Sequence, residues 1–347
     1  MADPAATVGA RVGVVVIGRN EGARLGACLD SLAGLPTVVY VDSASTDGSP
    51  DLARDRGATV VPLDPDPGRP FTAARGRDAG VGRLAGLAPG AEFVLFLDGD
   101  CTLADGWVAR AVAALDADPA LAVACGRRAE RDPGRSVFRR LLDLEWDTPV
   151  GPADSCGGDA VVRLAAYRAV GGFDPTLPIG EEPELCRRLR AEGWGIRRVD
   201  APMSVHDMGE AGVGPWWRRQ ARQGYGGLDL ARRRPDAAGP YRRRIASAWA
   251  WGAGVPASAA LAAWLGPGVA PGVPAWAGLA VLLIYPLQVA RMARAIRPRA
   301  PDGGTALAHG VATLAAKWPH LLGQLAYLAD RARGRLPRLI EYRPSRR

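Results

Sequence analysis

The chain has 347 residues, more than twice the ~150 of an ordinary domain, so it can bury a sizeable core and still carry an appendage. With 48% hydrophobic and 23% charged residues, and 44 Gly and 29 Pro that follow no collagen-like period, it is neither disordered nor fibrous. The 44 basic and 36 acidic side chains leave a net charge of +8, yet no interleaved aromatics or recognition motif point to nucleic acid, and Lys317 alone among the basic residues is not arginine.

The N-terminus carries Asp3 and lacks a charged n-region, a long apolar run and a small-residue cleavage site, so the bulk of the protein is expected in the cytoplasm. Five widely spaced cysteines (Cys28, Cys101, Cys125, Cys156, Cys186) form no C-x-x-C pair; the spacing writes neither a disulfide framework nor a zinc site and fits a reducing compartment. Val14-Val15-Val16-Ile17 is a β-branched run between Gly13 and Gly18, the pattern of a strand buried on both faces of a parallel sheet. Leu25, Cys28, Leu29 and Leu32 recur at helical spacing, and Val38 to Val41 reads as a second buried strand, giving a β-α-β unit. A helix over Leu52 to Arg56, a short strand Thr59 to Val61, a helix Ala73 to Leu87 and a strand Phe93 to Leu97 continue the α/β alternation. A later strand is expected over Ile196 to Val199.

Residues 245–290 contain no charged residue and no histidine, enough for two spans of ~20 residues with a turn at Gly266 to Pro274. Arg232, Arg233, Arg234, Arg242, Arg243 and Arg244 precede the stretch and Arg291, Arg294, Arg297 and Arg299 follow it, as in a membrane hairpin that enters and leaves on the cytoplasmic side. A buried helical hairpin of a soluble domain is the other reading, given the mild hydrophobicity of Ala and Gly and the prolines Pro256, Pro267, Pro271 and Pro286 within the stretch. Leu307, Val311, Leu314, Trp318, Leu321 and Leu325 then line one helical face, as in an interface-lying helix or an ordinary core stripe. The expected organisation is 1–235 catalytic, 236–299 helical hairpin and 300–347 amphipathic helix with a basic tail.

Asp98-Gly99-Asp100 follows the fourth strand directly. In an open parallel sheet ligands bind beyond the carboxyl ends of the strands, so these carboxylates face the ligand crevice and suit a hard divalent ion such as Mg2+ or Mn2+. Asp42 and Asp47 follow the second strand and Arg19 and Glu21 the first, so three strand ends converge on one crevice. Helix capping accounts for Ser45 and Asp47, whereas a carboxylate at Asp42 can accept the imide N–H of a uracil. Trp146 offers a stacking face to a sugar or fills a core.

In order and spacing, Ile17 to Glu21, Asp42 to Ser49, Ala74 to Gly80, Asp98-Gly99-Asp100, Gly157-Gly158-Asp159 and Gly180 to Leu185 resemble the inverting family 2 glycosyltransferases over about residues 12 to 230. The resemblance implies the GT-A fold, a Rossmann-like, mostly parallel sheet flanked by helices. It implies that Asp42 contacts the nucleotide base, that Arg77 lies near the diphosphate, and that Asp98 and Asp100 form the D-x-D motif with the metal. Gly158 and Asp159 would border the acceptor, Glu181-Glu182 would match the E-D pair whose second member is the general base, and His206 would complete the metal shell. Pro183 suits a first helical turn, which would place Glu182 at a helix start, ionised and pointing into the crevice. The family's second acid is replaced by Ser43. Where processive relatives carry Q-x-x-R-W, Gln220 is followed by Ala221-Arg222-Gln223-Gly224, so repeated polymerisation is not expected.

The expected activity is therefore transfer of one sugar from a nucleotide-diphosphate sugar, with a UDP-sugar favoured, to a glycan or polyprenyl-linked acceptor. The expected location is the inner (cytoplasmic) membrane, with the catalytic domain in the cytoplasm. The contrasting reading is a catalytically inactive, membrane-anchored scaffold or nucleotide-sugar-binding protein of a polysaccharide assembly, which the intact acids at positions 98, 100, 181 and 182 oppose.

Overall fold

A computed structural model describes residues 8–65, 70–236, 238–269 and 274–335. The described chain divides into two compact units, one comprising residues 8–133 and 145–209, the other residues 134–144 and 210–335.

The first unit is built on one nine-stranded sheet of order β3-β2-β1-β4-β8-β6-β9-β5, with β7 beside β9. Strands β1 (Val12–Gly18), β2 (Val38–Asp42), β3 (Thr59–Pro62) and β4 (Phe93–Asp98) pair in parallel, as their β-branched runs predict. Antiparallel pairing enters with β8 (Ala160–Arg163), which lies against β4 and against β6 (Leu121–Glu130). Helix α1 (Ala23–Asp30) and helix α2 (Ser49–Asp55) complete the opening alternation. Val14, Val15, Val16, Val39, Tyr40, Val41 and Phe93 to Leu97 form the centre of the core.

Helix α3 (Ala73–Leu87) spans the expected residues. Its N-cap Thr72 accepts the Arg75 N–H, and its buried face runs through Ala74, Arg77, Val81 and Leu84 at helical spacing. Gly76 and Gly80 let it lie close on β1, since a Cβ at Gly80 would drive into Val15. That close approach carries Arg77 to the carboxyl edge of the sheet.

Strand β9 (Gly195–His206) is longer than the expected segment ending at Val199. A short turn is expected after Val199, but the strand continues because β9 itself bulges between Arg198 and Ser204 and so accommodates Pro202, where a ladder donor is missing. The register places Glu130 opposite His206 and Arg128 opposite Ser204, while the short β5 (Cys101–Leu103) sets Cys101 against His206 from the other side. Helix α4 (Trp107–Ala117) buries Trp107 and Leu115, and β7 (Gly151–Pro152) pairs with β9. Helix α6 (Leu164–Ala169) follows β8, and helix α7 (Glu181–Ala191) starts at Gly180, whose φ of 75° is left-handed. Between α4 and α6 the chain forms α5 (Val137–Trp146).

The second unit is helical. Helix α8 (Val213–Arg233), read from sequence as part of the catalytic domain, groups here, as do α9 (Gly239–Trp249) and α10 (Val255–Val269), joined by a π-turn over Ala250–Gly254. After a 3-10 segment, Ala275–Leu283, come α11 (Ile284–Ile296), α12 (Gly303–Ala315) and α13 (Lys317–Ala332). Glycines set the crossing of α8 and α13: a Cβ at Gly224 would meet the His320 backbone and one at Gly323 the Ala221 carbonyl. Among the described residues one segment, Gly278–Ile296, is long and apolar enough to cross a membrane, with mean hydropathy 1.5 and none of it buried. Among the described residues, the first span of the expected hairpin does not reach that length and apolarity; the hairpin's turn lies partly, and the basic tail after residue 335 wholly, outside the described residues. Trp264 and Trp276 stand 78% and 71% exposed. The Leu307-to-Leu325 stripe is divided between α12 and α13; Leu307, Val311, Trp318 and Leu325 are exposed, and Leu314 and Leu321 turn inward.

Burial pushes the His320 imidazole down to about 4, with repulsion from Lys317 and Arg244 adding to the effect, while Nε2 sits 2.9 Å from Gln220 Oε1. A depressed value means that the fold favours neutral histidine. Stability is therefore held above the ordinary histidine range and lost as pH falls from ~6.5 toward 4. The melting temperature of this unit should drop over that interval, and His320→Gln should flatten the drop; equal pH profiles for both proteins would contradict the assignment.

Candidate active site

The site lies at the carboxyl edge of β1, β2 and β4 and the adjoining ends of β6 and β9, where the sheet stops supplying backbone partners. Asp98 ends β4, and Gly99 turns the chain by donating its N–H to the Ile17 carbonyl at 2.8 Å; a Cβ on Gly99 would stand 3.0 Å from that oxygen. Asp100 is thereby brought to the end of β9.

Asp98 is held from two sides. Arg77 Nη2 donates to Oδ1 at 2.8 Å and Arg128 Nη2 to Oδ2 at 2.8 Å. Arg77 also donates through Nη1 to Glu181 Oε1 at 2.8 Å, and Arg128 through Nε to Asp159 Oδ2 at 2.9 Å. Asp159 in turn accepts the Asp98 backbone N–H and the Ser204 hydroxyl. Three carboxylates and two guanidinium groups thus form one buried network. Burial alone would raise the Asp98 carboxyl, but the Arg77 and Arg128 charges override it and hold the group below the ordinary aspartate range. Gly158 packs against the network, since a Cβ there would lie 2.7 Å from Asp98 Oδ2 and 3.0 Å from Arg77 Nη2.

The sequence reading placed the metal on Asp98 as well as Asp100. Here both Asp98 oxygens accept from guanidinium groups, and Asp100 stands beside His206. His206 Nε2 lies 3.4 Å from Asp100 Oδ2, and its Nδ1 lies 2.6 Å from Glu130 Oε2, a carboxylate buried on β6. Desolvation would lower the imidazole, but the hydrogen bonds to Asp100 and Glu130 outweigh it and push His206 up to about 9. Trp146 meets the His206 ring edge-on at 4.8 Å and carries the Arg128 guanidinium over its face at 5.0 Å; it belongs to this cluster and not to the hydrophobic core.

Glu181 and Glu182, adjacent on the first turn of α7, differ. Glu181 turns to Arg77, whereas Glu182 turns inward, where Oε1 accepts the Cys156 N–H and the Cys186 thiol lies 3.1 Å away. The expectation that a helix start keeps Glu182 ionised and open to the crevice is corrected: desolvation raises its carboxyl above the ordinary glutamate range, and the Cys156 and Cys186 hydrogen bonds only oppose it.

Along the same sheet edge, Asp42 sits two strands from Asp98, about 10 Å across the sheet. Its Oδ1 accepts the Tyr40 hydroxyl at 3.0 Å and its Oδ2 the Ser45 N–H at 2.9 Å, so Asp42 closes the turn after β2, while the helix cap expected of Ser45 and Asp47 is Gly48, with no side-chain bond. Asp47 accepts from the Ser49 N–H and hydroxyl. Asn20 (φ 55°) and Ala44 (φ 60°) are left-handed without being glycine, and Asn20 ties the two loops by accepting the Thr46 N–H at 2.7 Å. Arg19 stacks over Phe71 at 5.7 Å, and Glu21 pairs with Arg24 at 2.7 Å.

Arg128 and Glu130 were not singled out from sequence. The available signal was a buried apolar run, Leu121 to Cys125, that turns charged at its carboxyl end, but an arginine-rich composition conceals it. Replacing Arg128 by Met should leave Asp159 as an uncompensated buried charge and Asp98 with Arg77 alone, and cost about 3–5 kcal/mol of stability. Chemical denaturation measures this, and a loss below about 1 kcal/mol would contradict the network's role.

Residues 13–153 match the glycosyl transferase family 2 and residues 93–293 the glycosyl transferase family group 2. The pre-mycofactocin glycosyltransferase of Mycobacterium tuberculosis is 30% identical over 298 residues, covering 82% of this chain and 58% of that protein. The succinoglycan biosynthesis protein ExoA of Rhizobium meliloti is 28% identical over 214 residues, covering 56% of this chain and 62% of that protein, so the chain spans about three fifths of the length of these curated relatives. Among solved structures, the mannosyltransferase PcManGT of Pyrobaculum calidifontis, in complex with GDP-Man and Mn2+, superimposes with a TM-score of 0.56 at 21% identity over 87% of this chain and 86% of that chain, which identifies the shared fold. The matched residues include the crevice residues described above, and the chain belongs to the family 2 glycosyltransferases.

Proposed function

We propose that the chain transfers a single sugar, with inversion, from a nucleotide-diphosphate sugar to a glycan or polyprenyl-linked acceptor at the cytoplasmic face of the inner membrane, and that it requires Mg2+ or Mn2+. The observation that carries this reading is the pairing of Asp100 with His206 beside the Asp98 network. A carboxylate oxygen and an imidazole nitrogen 3.4 Å apart approximate one edge of an octahedron with ~2.1 Å bonds, about 3.0 Å, and the oxygen–nitrogen donor set suits Mn2+ as well as Mg2+. Asp100 and His206 would hold the ion, which when bound would offset charge on a departing diphosphate.

The chain's own residues do the rest. Glu130 fixes the His206 ring through Nδ1, and Arg77 and Arg128 hold Asp98 still at the crevice floor. Asp42, Asp47, Arg19 and Glu21 border the nucleoside side, with uridine favoured. Gly158, Asp159 and Trp146 border the acceptor side. Glu182 takes the acceptor proton; its raised carboxyl is a stronger base than an ordinary glutamate and must be ionised to act, so turnover falls as pH drops through that raised value. The exposed apolar segment Gly278–Ile296, flanked by arginines, supports attachment to a membrane with its basic ends cytoplasmic. The relative named for succinoglycan biosynthesis supports a saccharide product.

Asp100→Ala should abolish Mn2+-dependent release of nucleotide from a panel of UDP-, GDP- and dTDP-sugars. Glu182→Gln should lower turnover about 10²–10⁴-fold while keeping the rise in melting temperature that donor and Mn2+ produce. Full activity in either variant contradicts the corresponding role, and the absence of any donor-induced rise in the wild type favours the scaffold reading.

A further inference from the structure

Cys156 and Cys186 are far apart in sequence, and their spacing predicts no metal site. The fold brings them together. The loop between β7 and β8 delivers Cys156, the second turn of α7 delivers Cys186, and the two sulfurs stand 3.7 Å apart. Glu182, one turn before Cys186, places Oε1 3.1 Å from the Cys186 sulfur and accepts the Cys156 backbone N–H. The three ligand atoms all lie within 4.8 Å of one another, and all five cysteines of the chain are free.

These separations have a chemical meaning. In a tetrahedral zinc site with Zn–S bonds of ~2.3 Å, two sulfurs lie about 3.8 Å apart, and a sulfur and a carboxylate oxygen about 3.5 Å apart. The observed 3.7 Å and 3.1 Å are close to both edges before any ion is bound. Two thiols and one carboxylate also form a softer donor set than Asp100 and His206, and it favours Zn2+ over Mg2+ or Mn2+.

We propose that Cys156, Cys186 and Glu182 form a second, inhibitory metal site that takes Zn2+ and, by engaging the Glu182 carboxylate, blocks sugar transfer. Binding releases both thiol protons to solvent, leaving two thiolates and one carboxylate on the dication, with the fourth position open to water. The inhibitory consequence rests on the reading of Glu182 as the group that takes the acceptor proton; the binding does not.

The full-length, fully reduced protein is titrated with Co2+ as a spectroscopic substitute and then with Zn2+, with donor and Mn2+ saturating in a parallel turnover assay. The expected result is one equivalent of Co2+ with a thiolate-to-metal charge-transfer band, displaced by Zn2+, and loss of turnover at the same Zn2+ stoichiometry. Cys186→Ser and Cys156→Ser, each shown to be folded by its melting curve, should lose the band, bind Zn2+ about tenfold or more weakly and make the ratio of turnover with and without Zn2+ approach one. No charge-transfer band, or a band and affinity unchanged in both variants, overturns the site and leaves the proposed transferase activity untouched. A cysteine-dependent band with undiminished turnover upholds the site but overturns both the inhibition and the assignment of Glu182 as base.

Discussion

Three carboxylates, Asp98, Asp159 and Glu181, are buried or nearly so where the strands end, and that burial is tolerable only because Arg77 and Arg128 are buried with them. Removing charges from water is costly, and the cost is offset here by short, multiply hydrogen-bonded guanidinium contacts. The surroundings answer to this network. Gly158 leaves room for the Asp98 carboxylate, and the close fit of α3 on β1 through Gly80 brings Arg77 within reach. The register of β6 against the bulged β9 lets Arg128 reach Asp159 and sets Glu130 behind His206. Asp98 is thereby held in place at the floor, and Asp100 stands one glycine further on, beside His206.

Neighbouring acids therefore carry different chemistry. Asp98 is held below the ordinary range by two arginines, and Glu182 is raised above it by desolvation, although each sits one or two residues from another acid. Environments that push carboxyl groups apart in this way separate structural from reactive roles. The same inward turn that raises Glu182 places it against two thiols, so one carboxylate serves as candidate base and as the third member of a thiol-rich pocket.

Much of the first unit was legible in the sequence. Strands buried on both faces of a parallel sheet read as uninterrupted β-branched runs, so β1 to β4 lie where Val14 to Ile17, Val38 to Val41, Thr59 to Val61 and Phe93 to Leu97 predict them, and α3 spans the expected Ala73 to Leu87. Beyond residue 100 the reading weakens, because strands that bulge lose a regular pattern; β9 looked finished at Val199 when Pro202 was accommodated within it by a bulge in its parallel pairing with β6. Motifs located Arg77, Asp98, Asp100, Asp159, Glu181 and His206, but not which of them pair. Arg128 is invisible among 44 basic residues, and only the fold shows that it consumes one oxygen of Asp98. The cysteine spacing likewise gave no hint that Cys156 and Cys186 would touch.

The central claim is that Asp100 and His206, and not Asp98, meet the metal of the donor complex. Anomalous scattering at the manganese edge from crystals grown with Mn2+ and UDP locates the ion directly. The account predicts a single peak within bonding distance of Asp100 and of His206 Nε2, with both Arg77 and Arg128 still on Asp98. A peak bonded to Asp98 with the arginines displaced, or one remote from His206, would contradict it.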